Sequence, residues 1–142
     1  MHESIARVLP AWPEQHNWRS FVLGMYSFGL EESGQYQLAE ATGKEAIALN
    51  PHDLWAAHAV IHVYHMQNRW LDGVDWLSEL IPVWTETNNF VYHLHWHKAV
   101  LYLSNGDAEA ALAIYDETLT EPLEDDLYLD VCNAASLLWR LQ

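Results

Sequence analysis

The sequence predicts an all-α fold, a tetratricopeptide-like α-solenoid of about three helical hairpins plus a capping helix. Three observations predict it. Apolar residues recur at three- and four-residue spacing through seven segments, strand-like alternation is nearly absent, and the turns between segments repeat at a fixed interval. With 142 residues, 51% of them hydrophobic, there is enough apolar surface for one sizeable core, so residues 1–142 read as a single domain.

The predicted helices run, in order, from Phe21 to Glu32, Tyr36 to Leu49, Asp53 to Gln67, Trp70 to Leu80, Phe90 to Ser104, Ala108 to Thr118 and Leu127 to Leu141. The punctuation between them holds residues that tolerate a left-handed backbone or break a helix: Ser33-Gly34, Asn50-Pro51-His52, Gln67-Asn68, Asn88-Asn89 and Asn105-Gly106. Asp53 and Asp107 are placed to cap the helices that follow them. Pro82 should end or kink the helix that starts at Trp70.

The hairpins repeat. Gly34-Gln-Tyr36-x2-Ala39 aligns with Asn68-Arg-Trp70-x2-Gly73 and with Gly106-Asp-Ala108-x2-Ala111, at intervals of 34 and then 38 residues. The first interval is the tetratricopeptide length. The pattern wants a residue for a sharp bend, then an aromatic, then a small residue where two helices cross closely; Tyr36 and Trp70 supply the aromatic, and Ala108 replaces it in the third repeat. Ala46 and Pro51 fill the later expected positions of the first repeat. The repeats span about 20–51, 54–87 and 90–121, with a final helix at 127–141.

The segments Phe21 to Glu32 (FVLGMYSFGLEE), His58 to Gln67 (HAVIHVYHMQ), Tyr92 to Ala99 (YHLHWHKA) and Ala134 to Leu141 (AASLLWRL) resemble the tetratricopeptide repeat protein 38 family, also grouped as StaR-like, with this chain as a partial or truncated member. The resemblance implies a helical-repeat fold. It brings no catalytic residues to carry over.

Charge narrows the partners. Six Lys and Arg against 20 Asp and Glu give a formal net charge of -14, which repels phosphate backbones and anionic bilayers. Nucleic acid and membrane are therefore excluded as expected partners, and no apolar run has the roughly 18 residues of a membrane span. A lone cysteine, Cys132, excludes an internal disulfide framework and fits a reducing compartment, so the expected location is cytoplasmic. The apolar setting of Cys132 predicts burial. Trp55, Trp70, Trp76, Trp84 and Trp139 read as core, Glu121, Glu124, Asp125 and Asp126 as a solvated linker, and His2, His16 and His52 as surface residues.

Two His-x3-His pairs, His58/His62 and His93/His97, carry the chemistry. Residues four apart share a helix face, so each pair presents two imidazoles one turn apart. In tetratricopeptide arrays, positions 2, 5, 6, 9 and 12 of the first helix face the ligand. The repeat register puts His58, His62 and His65 at positions 5, 9 and 12 of the second repeat, and His93 and His97 at positions 2 and 6 of the third. His95 falls about 160° from His97 on a helical wheel and is expected inside its hairpin. Tyr64 and Trp96 can wall such a groove. Glu31 or Glu32, Asp130 and Asn133 lie on neighbouring first helices, where they can orient imidazoles or complete a coordination sphere.

Three readings follow. The first is a binding module that takes a protein, peptide or small-molecule ligand through a His-lined concave groove. The second is a metal-dependent or histidine acid/base enzyme, in which His58, His62, His93 and His97 hold a divalent ion such as Zn or Fe or share proton transfer. The third is a scaffold, with homo-oligomers forming through exposed solenoid ends. An open groove with exposed histidines marks the first, a closed pocket with ring nitrogens about 4 Å or less apart the second, and buried, scattered imidazoles the third.

Overall fold

The structure, a computed structural model, describes residues 2–13, 16, 18–85, 87–125 and 127–142. All the regular elements among them are helical. Eight α-helices follow in order: α1 (His2–Val8), α2 (Arg19–Glu31), α3 (Tyr36–Leu49), α4 (Leu54–Met66), α5 (Trp70–Leu80), α6 (Phe90–Ser104), α7 (Ala108–Ile114) and α8 (Tyr128–Arg140). Of these, α1 is an addition to the sequence reading, and the rest match predicted segments to within a few residues. No helix is long and apolar enough to cross a membrane among the described residues.

Local chemistry sets the boundaries. Gly34 and Gly106 adopt φ of 73° and 87°, and Asn68 adopts 56°, so the three aligned turn residues all enter the left-handed region. After α2, Gln35 N–H reaches back to the Leu30 carbonyl and Gly34 N–H to Glu31. After α6, Asp107 N–H bonds to Tyr102 and Gly106 N–H to Leu103 in the same pattern. These paired bonds satisfy the last carbonyls of each helix. Asp53 Oδ1 accepts from Ala56 N–H at 3.0 Å to start α4, and Asp107 Oδ1 accepts from Ala110 N–H at 3.0 Å to start α7. At Pro82 the α5 helix gives way to a 3-10 turn, Ile81–Val83. Beyond Ile114 the backbone of α7 widens into a π turn, Tyr115–Leu119, followed by a 3-10 turn at Glu121–Asp125 that carries part of the acidic run. Asp126, the last residue of that run, lies outside the described residues.

Two compact units divide the chain, residues 1–67 and 68–142. In the first, α2, α3 and α4 all pack on one another, with α1 on α2. Small residues permit this: Ala39, Ala46, Ala56, Ala57 and Ala59 are fully buried. A Cβ built on Gly43 of α3 would stand 2.4 Å from Val60 Cγ2 and 2.8 Å from Ser27 Oγ, so α2, α3 and α4 meet at this glycine. Ser27 Oγ donates to the Ala39 carbonyl at 2.7 Å, and Leu30, Ala39 and Val63 close the core under Tyr26 and Tyr36.

In the second unit α6 is central, touching α5, α7 and α8. Its core joins Ala99, Val100, Ala111, Leu119 and Leu137, ringed by Tyr92, Trp96, Tyr102 and Ile114.

Three expectations are corrected here. Cys132 is exposed, because α8 buries Asp130, Asn133, Ala134 and Leu137, and Cys132 lies off that face. Trp139 falls on the outer side too and is 74% exposed, and Trp55 is also surface-accessible. Of the tryptophans read as core, Trp84 is buried, and Trp70 and Trp76 are half-buried.

Candidate functional site

Each unit holds one of the histidine pairs, and each pair is assembled in the same way. In the first unit, α4 brings His58 and His62 to one face, and their Nε2 atoms stand 3.0 Å apart. Phe28 of α2 stacks on His58 with ring centroids 5.7 Å apart and meets His62 edge-on. Trp55, one turn before His58 on α4, completes the aromatic wall at 5.1 Å from the His58 ring. Behind His62 stands Glu31 of α2, whose Oε2 is 3.6 Å from His62 Nδ1.

Glu31 is 5% exposed. Burial, reinforced by the adjacent Glu32 carboxylate, pushes its carboxyl up to about 7. Glu31, Glu32 and His62 each place a donor atom within 4.8 Å of the others, a His/Glu group able to hold a metal ion.

In the second unit α6 brings His93 and His97 together, with their Nε2 atoms 3.1 Å apart. Trp96 stacks on His93, with centroids 5.3 Å apart and planes 10° from parallel, and meets His97 edge-on. Phe90 flanks His93, and the Arg140 guanidinium lies over the Trp96 ring at 5.7 Å. The polar partner comes from α8, where Asn133 Oδ1 lies 3.1 Å from His93 Nδ1. One turn earlier on α8, Asp130 accepts from Asn89 Nδ2 at 3.4 Å, at the start of α6. Asp130 and Asn133 are both buried. Burial lowers the pKa of His93, partly offset by the Asn133 hydrogen bond and the Asp130 charge.

Proton positions follow from this geometry. With Asn133 Oδ1 accepting from His93 Nδ1–H, neutral His93 offers a lone pair at Nε2, and His97 Nε2–H donates to it. In the first unit Glu31 Oε2 lies 3.6 Å from His62 Nδ1, too far for a hydrogen bond, so either ring of the His58/His62 pair can be the donor. Two nitrogens 3 Å apart repel if both carry protons or both are bare. Each pair therefore holds one proton between its rings.

The other predicted residues are placed as follows. His65 is half-buried, one turn beyond His62 on α4. Tyr64 is buried against α3, with Lys44 Nζ 5.4 Å from its ring centroid, on a different side of α4 from the pair. His95 is half-buried beside a cavity of about 340 Å³ with Trp84, Thr87 and Tyr92; burial and the Lys98 charge lower its pKa. His16 and His52 are exposed, and the His2 side chain lies outside the described residues. Sequence reasoning missed Phe28, Trp55 and Phe90 as ring partners. The one available signal for Phe28 was its i, i+3 spacing to Glu31, which puts both on one face of α2.

No family model matches the chain, and no solved structure matches it.

Proposed function

We propose that the chain is a tetratricopeptide-like binding module of three hairpins plus a capping helix, taking its ligand at the histidine and aromatic faces of α4 and α6. The groove histidines are buried (His58, His97) or half-buried (His62, His65, His93) and not exposed as an open groove would leave them, and one other observation carries this reading. The same constellation is built twice, each time with an i, i+4 histidine pair, a stacked aromatic ring, and a polar group supplied by a neighbouring helix. The three left-handed turns at Gly34, Asn68 and Gly106 support the repeat register, and that register assigns both pairs to ligand-facing positions of first helices. The ligand is a protein, a peptide or a small molecule with a carboxylate or another imidazole-seeking group.

The test is a thermal-shift and calorimetric screen of small dicarboxylates and of peptides with free C-termini, on the wild type and on His58→Gln/His97→Gln. The expected hits stabilise the wild type and lose that effect in the variant. Hits that ignore the histidines, or none at all, sink the reading.

A second reading, a metal-dependent or acid/base enzyme on the same histidines with Zn or Fe as its cofactor, is favoured by the Nε2 separations of 3.0 and 3.1 Å and by the burial of His58 and His97 at 5% and 6% exposed. Purified protein should then carry metal that the double variant lacks. Association through α8 is a further element of the proposal, supported by its exposed Tyr128, Val131, Leu138 and Trp139.

A further inference from the structure

We infer that each histidine pair is a bidentate chelating site for a borderline divalent cation of the zinc, cobalt and nickel class, with Glu31 and Asn133 as the residues that position one ring of each pair. The inference rests on the reading of the histidine faces as ligand sites and adds to the ligands proposed there a metal ion.

Distance carries the first step. Two imidazole nitrogens each ~2.1 Å from one ion stand about 3.0 Å apart at a right angle and about 3.4 Å apart at the tetrahedral angle. The observed 3.0 and 3.1 Å lie within this span, near its right-angle end. A cation can therefore replace the proton between the rings at the same nitrogen separation, the two rings turning so that both lone pairs meet at it. The donating ring of each pair then shifts its proton from Nε2 to Nδ1, so every ring stays neutral as a ligand must. An all-nitrogen donor set without thiolate suits this class of metal.

Orientation carries the second step. A metal-bound histidine usually donates its other ring N–H to a carboxylate or carbonyl, which fixes the tautomer and raises ligand basicity. His93 Nδ1 faces Asn133 Oδ1 at 3.1 Å, so that ring presents its Nε2 lone pair inward, and Glu31 Oε2, 3.6 Å from His62 Nδ1, is placed to take the N–H of His62 once a metal holds its Nε2. The backing differs in kind, a carboxyl group beside His62 and an amide beside His93.

Buried polar atoms supply an independent reason to see α8 as serving the site. Asp130 Oδ1 and Asn133 Nδ2, like Glu31 Oε2 in the first unit, are buried without a hydrogen-bond partner among the described residues, so polar capacity is left over beside both pairs.

Zinc(II) and cobalt(II) alone are the probes, titrated into the full-length chain after chelator treatment. Ring-nitrogen NMR of the wild type needs no variant: zinc should move the Nε2 resonances of His58, His62, His93 and His97 far more than their Nδ1 resonances. Cobalt affinity is then read for the α4 pair in His93→Gln/His97→Gln and for the α6 pair in His58→Gln/His62→Gln. In the first background Glu31→Gln should weaken cobalt by ~10–100-fold. In the second, Asn133→Asp should tighten it by tenfold or more, a gain that a packing role does not produce. Ring nitrogens unmoved at millimolar zinc overturn the chelation. Affinities unchanged by both substitutions overturn the positioning. Histidine-dependent hits among the carboxylates, with no response to either metal, overturn this inference and leave the binding-module reading standing; a metal response without such hits does the reverse.

Discussion

The Glu31 carboxyl is buried on α2, faces His62 and Glu32, and keeps its proton up to about pH 7 against an ordinary value near 4.5. Between those two values the folded chain binds more protons at this site than the unfolded chain does. Stability contributed by Glu31 is therefore full below about pH 4.5 and is lost as pH rises through 7. Glu31→Gln removes that penalty. In metal-free protein the variant should have a higher Tm than the wild type at pH 8, with the gap closing toward pH 5. Thermal unfolding by circular dichroism across that range checks it, and a constant gap would refute the assignment. The opposite sign holds for His93 and His95, whose pKa values burial lowers: they cost stability as pH falls below about 6.5.

At the scale of helices, Gly43 decides whether α2, α3 and α4 can meet. A methyl group there would press on Val60 and Ser27 and stand 3.4 Å from the Ala56 carbonyl, so Gly43→Ala should cost ~1–3 kcal/mol despite the better helix propensity of alanine. Urea unfolding measures this, and a neutral or stabilising result would mean that α3 moves away freely. Much at this scale was legible in the sequence, because caps and turns are local. Asp53, Asp107, Gly34, Asn68 and Gly106 each act within a few residues of themselves. The histidine pairs were legible for the same reason, since i, i+4 spacing alone brings their rings together, and repeat register brought Glu31 and Asn133 into consideration. What stayed hidden depends on how a helix is rotated about its axis. Phe28 and Phe90 could not be assigned to imidazole rings from spacing. On α8 the usual rule inverts, with Asp130 and Asn133 inward and Val131, Leu138 and Trp139 outward, so hydrophobicity pointed Cys132 and Trp139 to the wrong side.

For the molecule as a whole, charge and the outer face of α8 act against each other. Tyr128, at 84% exposed, Val131, Leu138 and Trp139 recur at three-, seven- and one-residue steps and form an apolar stripe along a helix about 20 Å long. Two copies can bury that stripe symmetrically about a two-fold axis. The same copies repel, since the formal net charge is -14 and residues 68–142 alone hold thirteen acidic side chains against three basic ones. One helix face falls short of the roughly 800 Å² per partner typical of stable complexes, so association should be weak and set by ionic strength. Repulsion reaches about 30 Å at 0.01 M salt and about 8 Å at 0.15 M. Light scattering coupled to size exclusion should therefore show monomer at low salt and a rising dimer fraction as salt and protein concentration increase. Trp139→Glu should hold the chain monomeric throughout, because it breaks the stripe and adds to the repulsion. A mass that is monomeric under all conditions, or a dimer indifferent to Trp139, would remove α8 as the contact.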